Sequence, residues 1–132
     1  MNLIAIGVGG LIGGLFRYLV EIVVPTPMSV PLGTLTVNLI GALLLGLIYF
    51  LADDRQWPSW LRLGLGTGMM GAFTTFSTFS LELSELVGHH IGLTIAYGLG
   101  SVCGGVLFVM IGEWIGRLLV RDEVTANREV VS

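Results

Sequence analysis

The 132-residue chain contains no lysine; all six of its basic side chains are arginine. The phosphate-cradling loop of ATPases relies on a lysine to reach the terminal phosphates, so a pump driven by its own ATP site is excluded in its usual form. A single cysteine, Cys103, cannot close an intrachain disulfide or build a zinc site, and it reads as a packing residue. The two histidines, His89 and His90, adjoin in a short connection with no third ligand at metal spacing, and read as solvated loop residues. Charge is scarce at 11% of residues, and the net charge of −3 carries no basic cluster, so no nucleic-acid partner is expected. No basic stretch precedes Leu3 and no small-residue cleavage motif follows the first apolar run, so that run is expected to stay in the mature protein.

What the chain has in abundance is apolar length. With 54% hydrophobic residues and a mean hydropathy of +0.90, it lies far from soluble averages. A bilayer core takes roughly 20 mostly apolar residues per helical crossing. Four such runs are expected to form helices at about 3–24, 33–52, 61–86 and 91–120, followed by a polar tail at 121–132, all within one membrane domain spanning 1–132. Pro25, Pro27, Pro31 and Pro58 all fall in the connections, where they break no helix, and the short connections make neighbouring helices antiparallel.

Ionisable groups deep in these runs are few. Arg17 and Glu21 lie within the first run, four apart and therefore on one helix face. Arg17 either faces an aqueous vestibule or an anion, or snorkels to the interface. Glu82, Glu85 and Glu113 fall near expected helix ends. Twenty glycines, several spaced by four (Gly9 with Gly13, Gly10 with Gly14, Gly100 with Gly104, Gly112 with Gly116), predict close helix packing, which small residues permit in lipid. Four helices make a thin bundle, so an ion path walled by protein favours a dimer.

The segment with chemical character is GAFTTFSTFS, from Gly71, where Thr74, Thr75, Ser77, Thr78 and Ser80 alternate with Phe73, Phe76 and Phe79. Hydroxyl side chains compete with the helical ladder and Gly71 adds freedom, so a local break is expected here. Broken backbone at membrane depth survives only where protein or a water-filled path satisfies the freed groups. Freed carbonyls suit a hard cation such as sodium, as in unwound transporter helices. Phenylalanine edges are weakly positive, and together with hydroxyls and the Asn38 amide they suit a small, strongly hydrated anion. The plainer alternative is that the rings pack the bundle and the hydroxyls bond their own helix.

These residues resemble the Fluc (CrcB) fluoride channels over essentially all four runs. The resemblance rests on Gly9, Gly10, Gly13, Arg17 and Tyr18 in the first run, Gly33-Thr34-Leu35 with Asn38 and Gly41 in the second, and Gly71 followed by Thr74-Thr75-Phe76-Ser77-Thr78-Phe79 in the third. It implies an all-α integral membrane protein of four transmembrane helices with a break in the third, forming an antiparallel dual-topology dimer with two pores. It further implies passive, selective fluoride efflux across the inner membrane of a prokaryote. Carried over by residue, Phe76, Phe79, Asn38, Thr75 and Ser77 look like pore residues, Tyr97 and Ser101 like a polar track, and Arg17 like a vestibule arginine. Gly71 and Thr74 look like backbone carbonyl ligands for a structural sodium ion.

Arg55, Arg62, Arg117, Arg121 and Arg128 all fall on the side shared by both termini, whereas a chain that inserts both ways should show little bias. The expected partner is a second copy in the opposite orientation, with an oppositely oriented paralogue as the alternative. A small multidrug or cation exporter of similar size is the competing function, and it would require a deep carboxylate in the first helix.

Overall fold

A computed structural model describes residues 1–24 and 31–131, with side chains through Arg121. The stretch holding Pro25 and Pro27, the side chain of Arg128 and the terminal Ser132 lie outside the described residues. Every regular element described is helical: α1 (Asn2–Val23), α2 (Leu32–Asp54), α3 (Ser59–Arg62), a π-helical stretch (Leu63–Met70), α4 (Gly71–Phe73), α5 (Phe76–Val87) and α6 (Ile91–Val131).

Three helices are long and apolar enough to cross a membrane: α1, α2 and the Ile91–Arg121 part of α6. The 22 residues of α1 rise about 33 Å, close to the roughly 30 Å hydrocarbon core. The third apolar run is a succession of helical pieces from Ser59 to Val87. The expected polar tail is not separate from α6, whose backbone stays helical to Val131.

Local signals explain the joints. Pro31 precedes the first residue of α2, where its missing N–H removes no helical bond. At the other end of α2, the Trp57 N–H reaches back to the Ala52 carbonyl at 2.9 Å around Gln56, which takes a left-handed φ of 50°. A non-glycine residue there is held by its own side chain, whose amide donates to the Asp53 carbonyl at 2.7 Å. Pro58 then opens α3. Between α5 and α6 the N–H groups of His89 and His90 both bond the Leu86 carbonyl, at 3.1 and 2.8 Å, which turns the chain within three residues.

The elements pack as two intimate pairs. α1 lies along the π-helical stretch and α4, while α2 lies along α6. Both contacts are backbone against backbone. A methyl group on Gly9 would overlap the Gly64 carbonyl, and one on Gly13 would overlap the backbone of Met69. In the other pair Gly46 meets the Val109 carbonyl and Gly112 meets the Leu43 carbonyl. The pairs join at a small core of Val37, Met70 and Phe73. Elsewhere large apolar side chains face outward, among them Leu3, Leu11 and Leu15 on α1 and Leu99, Val102 and Met110 on α6. That distribution suits a lipid surround, in which outward leucine is not penalised.

Not every glycine spacing marks a contact. Gly14 and Gly100 face open space, and a methyl group on Gly10 would make only an ordinary contact, 3.9 Å from the Gly68 carbonyl. One helix presents one stripe to its neighbour, and Gly10 and Gly14 lie about 100° around α1 from Gly9 and Gly13.

Gly13→Leu should therefore drive α1 off the π-helical stretch and lower stability by about 1–3 kcal/mol or more, the usual range for overpacking. Gly14→Ala should be neutral to slightly stabilising, since alanine outranks glycine in a helix. Thermal melts of the two purified variants in detergent check the pair.

Candidate functional site

The third apolar run is interrupted at two residues. Thr74 (φ −79°, ψ 159°) and Thr75 (φ −141°, ψ 120°) are both extended, between the end of α4 and the start of α5. Gly71, which was expected to supply the freedom for a break, is itself helical at φ −63°, ψ −32°. What opens the helix is a partner from another element. The Asn38 side chain on α2 accepts from the Thr75 N–H at 2.8 Å and donates to the Thr75 carbonyl at 3.0 Å. One amide thus satisfies both backbone groups of the extended residue, as a neighbouring strand would.

This clasp has a second effect. In an uninterrupted helix the Thr75 N–H would bond the Gly71 carbonyl, and the Thr78 N–H the Thr74 carbonyl. Here Thr75 N–H goes to Asn38, and Thr78 N–H goes to the Thr75 hydroxyl at 3.2 Å, which caps the start of α5. The carbonyls of Gly71 and Thr74 are released from their helical donors. Both residues line a groove of about 510 Å³ that also takes in Asn38, Thr75 and Phe76 and runs on to Tyr49. No residue lining it is charged.

The hydroxyls divide in function. Thr74 bonds the Met70 carbonyl at 3.0 Å and Ser80 the Phe76 carbonyl at 2.8 Å, so these two bond their own run. The buried Thr75 hydroxyl bonds that of Thr78 at 2.9 Å and lies 3.4 Å from that of Ser77. Ser77 itself is exposed.

Three aromatic rings continue from the break. Phe76 is 80% exposed, so most of its ring is open to whatever covers the groove. Its centroid is 6.0 Å from that of Phe79, tilted by 42°, and Phe79 is 5.3 Å from the buried Tyr97 of α6 at 49°. Tilted rings present edges as well as faces, and an edge is the positive part of the ring quadrupole. One turn beyond Tyr97, the Ser101 hydroxyl is buried with no hydrogen-bond partner. Gly104, a turn further, lies beneath Leu39.

The sequence reading set Glu82 aside as a helix-end residue, yet it ties the site together. One carboxylate oxygen accepts from the Thr34 hydroxyl of α2 at 2.6 Å and the other from the Tyr97 hydroxyl of α6 at 2.8 Å. No local pattern announces this, because both partners are on other elements. Arg17 stands apart from the groove. It lies on α1, 3.9 Å from Glu21, with its side chain 35% exposed.

The chain has relatives among known proteins. The model of the family described as "CrcB-like protein, Camphor Resistance (CrcB)" matches residues 4–113. A protein of Methanocaldococcus jannaschii named "Fluoride-specific ion channel FluC" is 40% identical over 118 residues, covering 89% of this chain and 93% of its own. One of the same name from Leptospira interrogans is 41% identical over 123 residues, covering 86% and 93%. "Fluoride-specific ion channel FluC 2" of Moorella thermoacetica is 44% identical over 113 residues, covering 83% and 91%.

Glu82→Ala should strand the Thr34 and Tyr97 hydroxyls in a half-buried setting and cost about 1–3 kcal/mol, the penalty of unpaired buried groups. Glu82→Gln keeps one acceptor and should lose less. Melting temperatures of the two variants in one detergent rank the losses, and equal losses would assign Glu82 no bridging role.

Proposed function

The chain belongs to the CrcB-like family, and from that premise we propose that it is a fluoride-selective channel that lets fluoride leave the cell passively. It is a membrane transport protein and not an enzyme. The observation that carries the proposal is the clasped break: an uncharged groove in which Asn38, the Thr75 backbone and the exposed Phe76 ring come together. Fluoride is small and strongly hydrated, and it crosses a bilayer only where fixed dipoles replace its water. The second N–H of the Asn38 amide and the edges of Phe76 and Phe79 supply such dipoles without a full positive charge to trap the ion. Weak successive contacts suit conduction. Tyr97, Ser101 and the hydroxyls of Thr75 and Ser77 continue the polar lining, and the orphan Ser101 hydroxyl supports a place for it on the path.

The working unit in this reading is two copies in opposite orientation, each closing the groove of the other in the inner membrane of a prokaryote. The openness of the groove and of Phe76 in a single copy supports this. A structural sodium ion between the copies fits the same geometry. The Gly71 and Thr74 carbonyls have lost their helical donors, and no side chain intrudes beside Gly71. Among the described residues there is no group of three or more His, Cys, Asp or Glu that could hold a metal, so a cation here takes backbone oxygen. Arg17 draws anions toward the mouth on its side. The exporter alternative is not favoured, because Glu21, the carboxylate of the first helix, lies two residues from the end of α1 beside Arg17.

Purified protein in liposomes loaded with fluoride, and in parallel with chloride, tests the proposal with ion-selective electrodes. Fluoride should drain rapidly while chloride is retained. Phe76→Ile should lose the fluoride flux while eluting at the same size. Equal loss of both anions, or no loss from a folded two-copy protein, would contradict it.

A further inference from the structure

Beyond the break, the groove adjoins a second chamber of about 480 Å³, and the two share Leu45, Tyr49 and Val109. Tyr49 is the polar residue of the three. It reaches from α2 across to the π-helical stretch, where its hydroxyl would lie 2.9 Å from a methyl carbon on Gly66. A larger residue at Gly66 would displace the ring, so the glycine makes room for it.

The ring also carries a cation. The Arg62 guanidinium carbon sits 5.1 Å above the Tyr49 centroid, and Arg62 Nη1 lies 2.7 Å from the Asp53 carboxylate. Cation–π contacts of this reach orient a ring at modest strength. Asp53, Asp54 and Glu113 are among the residues that line the chamber. Glu113 bonds Arg117, whose guanidinium carbon lies 5.8 Å above the Phe50 ring. An anion entering the groove from this end thus passes three acidic residues before it reaches the shared Tyr49 ring, on which Arg62 is stacked from outside the lining of either cavity.

We propose that Tyr49 forms the throat between this chamber and the groove and that Arg62, stacked on its ring, sets the charge there, so that the pair controls the rate at which anions pass that end. The inference rests on the fluoride-channel reading for its cargo. Beside these acidic residues, an arginine close to the shared ring offsets part of their negative charge and raises the local anion concentration. The Asp53 carboxylate counteracts it. Arg62 and Asp53 form one ion pair, so a purely structural role predicts that removing either partner has the same effect. A throat role predicts opposite effects, because one substitution removes the positive charge and the other unmasks it.

Fluoride efflux from proteoliposomes is measured for the unaltered protein, Arg62→Gln and Asp53→Asn, at about 20 mM and about 500 mM potassium gluconate; the Debye length shrinks severalfold between them. At low salt Arg62→Gln should slow efflux about threefold to tenfold and Asp53→Asn should speed it, with both approaching the unaltered rate at high salt. Equal slowing by both variants, or rates unchanged at either salt, would overturn the throat. A second measurement separates this from failure of the channel reading. Tyr49→Cys in a Cys103→Ser background is exposed to a water-soluble methanethiosulfonate reagent and its mass is read. If the unaltered protein passes no fluoride, the cargo is wrong, and labelling at position 49 still locates a water-accessible junction. An unlabelled Cys at 49 in folded protein sinks the junction itself.

Discussion

Two hydrogen bonds between the Asn38 amide and the backbone of Thr75 hold open the helix on which the rest of the site depends. In hydrocarbon an unpaired peptide group costs several kcal/mol, and water is not present to relieve it. A break at membrane depth therefore needs a partner of matching shape on another element. Asn38 is such a partner, offering one donor and one acceptor in the spacing of a peptide bond. The same contact redirects the Thr75 N–H from the Gly71 carbonyl, while the Thr75 hydroxyl draws the Thr78 N–H from that of Thr74. Gly71 and Thr74, whose carbonyls lose their helical donors, line one uncharged groove together with Asn38 and the exposed Phe76.

Close backbone approach makes that contact possible. α1 presses on the π-helical stretch through Gly9 and Gly13, and α2 presses on α6 through Gly46 and Gly112. With little hydrophobic drive between helices in lipid, such small-residue seams fix the spacing of elements. They set α2 close enough to the third run for Asn38 to reach Thr75, and α5 close enough to α6 for Phe79 to stack on Tyr97. Glu82 then joins α2, α5 and α6 through Thr34 and Tyr97. Its acceptors take both hydroxyl protons, so the orientation of the Tyr97 hydroxyl depends on this carboxylate.

The first two apolar runs, read as 3–24 and 33–52, coincide with helices at Asn2–Val23 and Leu32–Asp54, whereas the fourth, read as ending at 120, continues as helix to Val131. The first two were legible because apolar length and proline placement are local properties. The hydroxyl-rich run 71–80 marked the region of the break, but the cause assigned to it was Gly71, which is helical. The actual cause, Asn38, lies 37 residues earlier, and no one-dimensional pattern links the two. Glu82 escaped for the same reason, with its partners 48 and 15 residues away. Glycine spacing found the seams at Gly9 and Gly13 and at Gly112 and Gly116, and also marked Gly14 and Gly100, which face outward. Spacing identifies a face; only packing shows whether a neighbour occupies it. The π-helical stretch had no signal in the pattern, since its apolar residues read equally well as ordinary helix.

The central claim is that the Asn38 clasp, acting through the backbone of Thr75, creates the conducting site. The most direct test is fluoride efflux per folded protein for Asn38→Leu, which keeps the branching of the side chain and removes both hydrogen bonds, with elution size and melting temperature recorded alongside. The account predicts a folded protein of unchanged size, lower melting temperature and fluoride efflux reduced at least about a hundredfold, the scale of about 2.7 kcal/mol from two lost bonds. Efflux at the unaltered rate from folded Asn38→Leu would contradict it and return the break to the status of a packing irregularity.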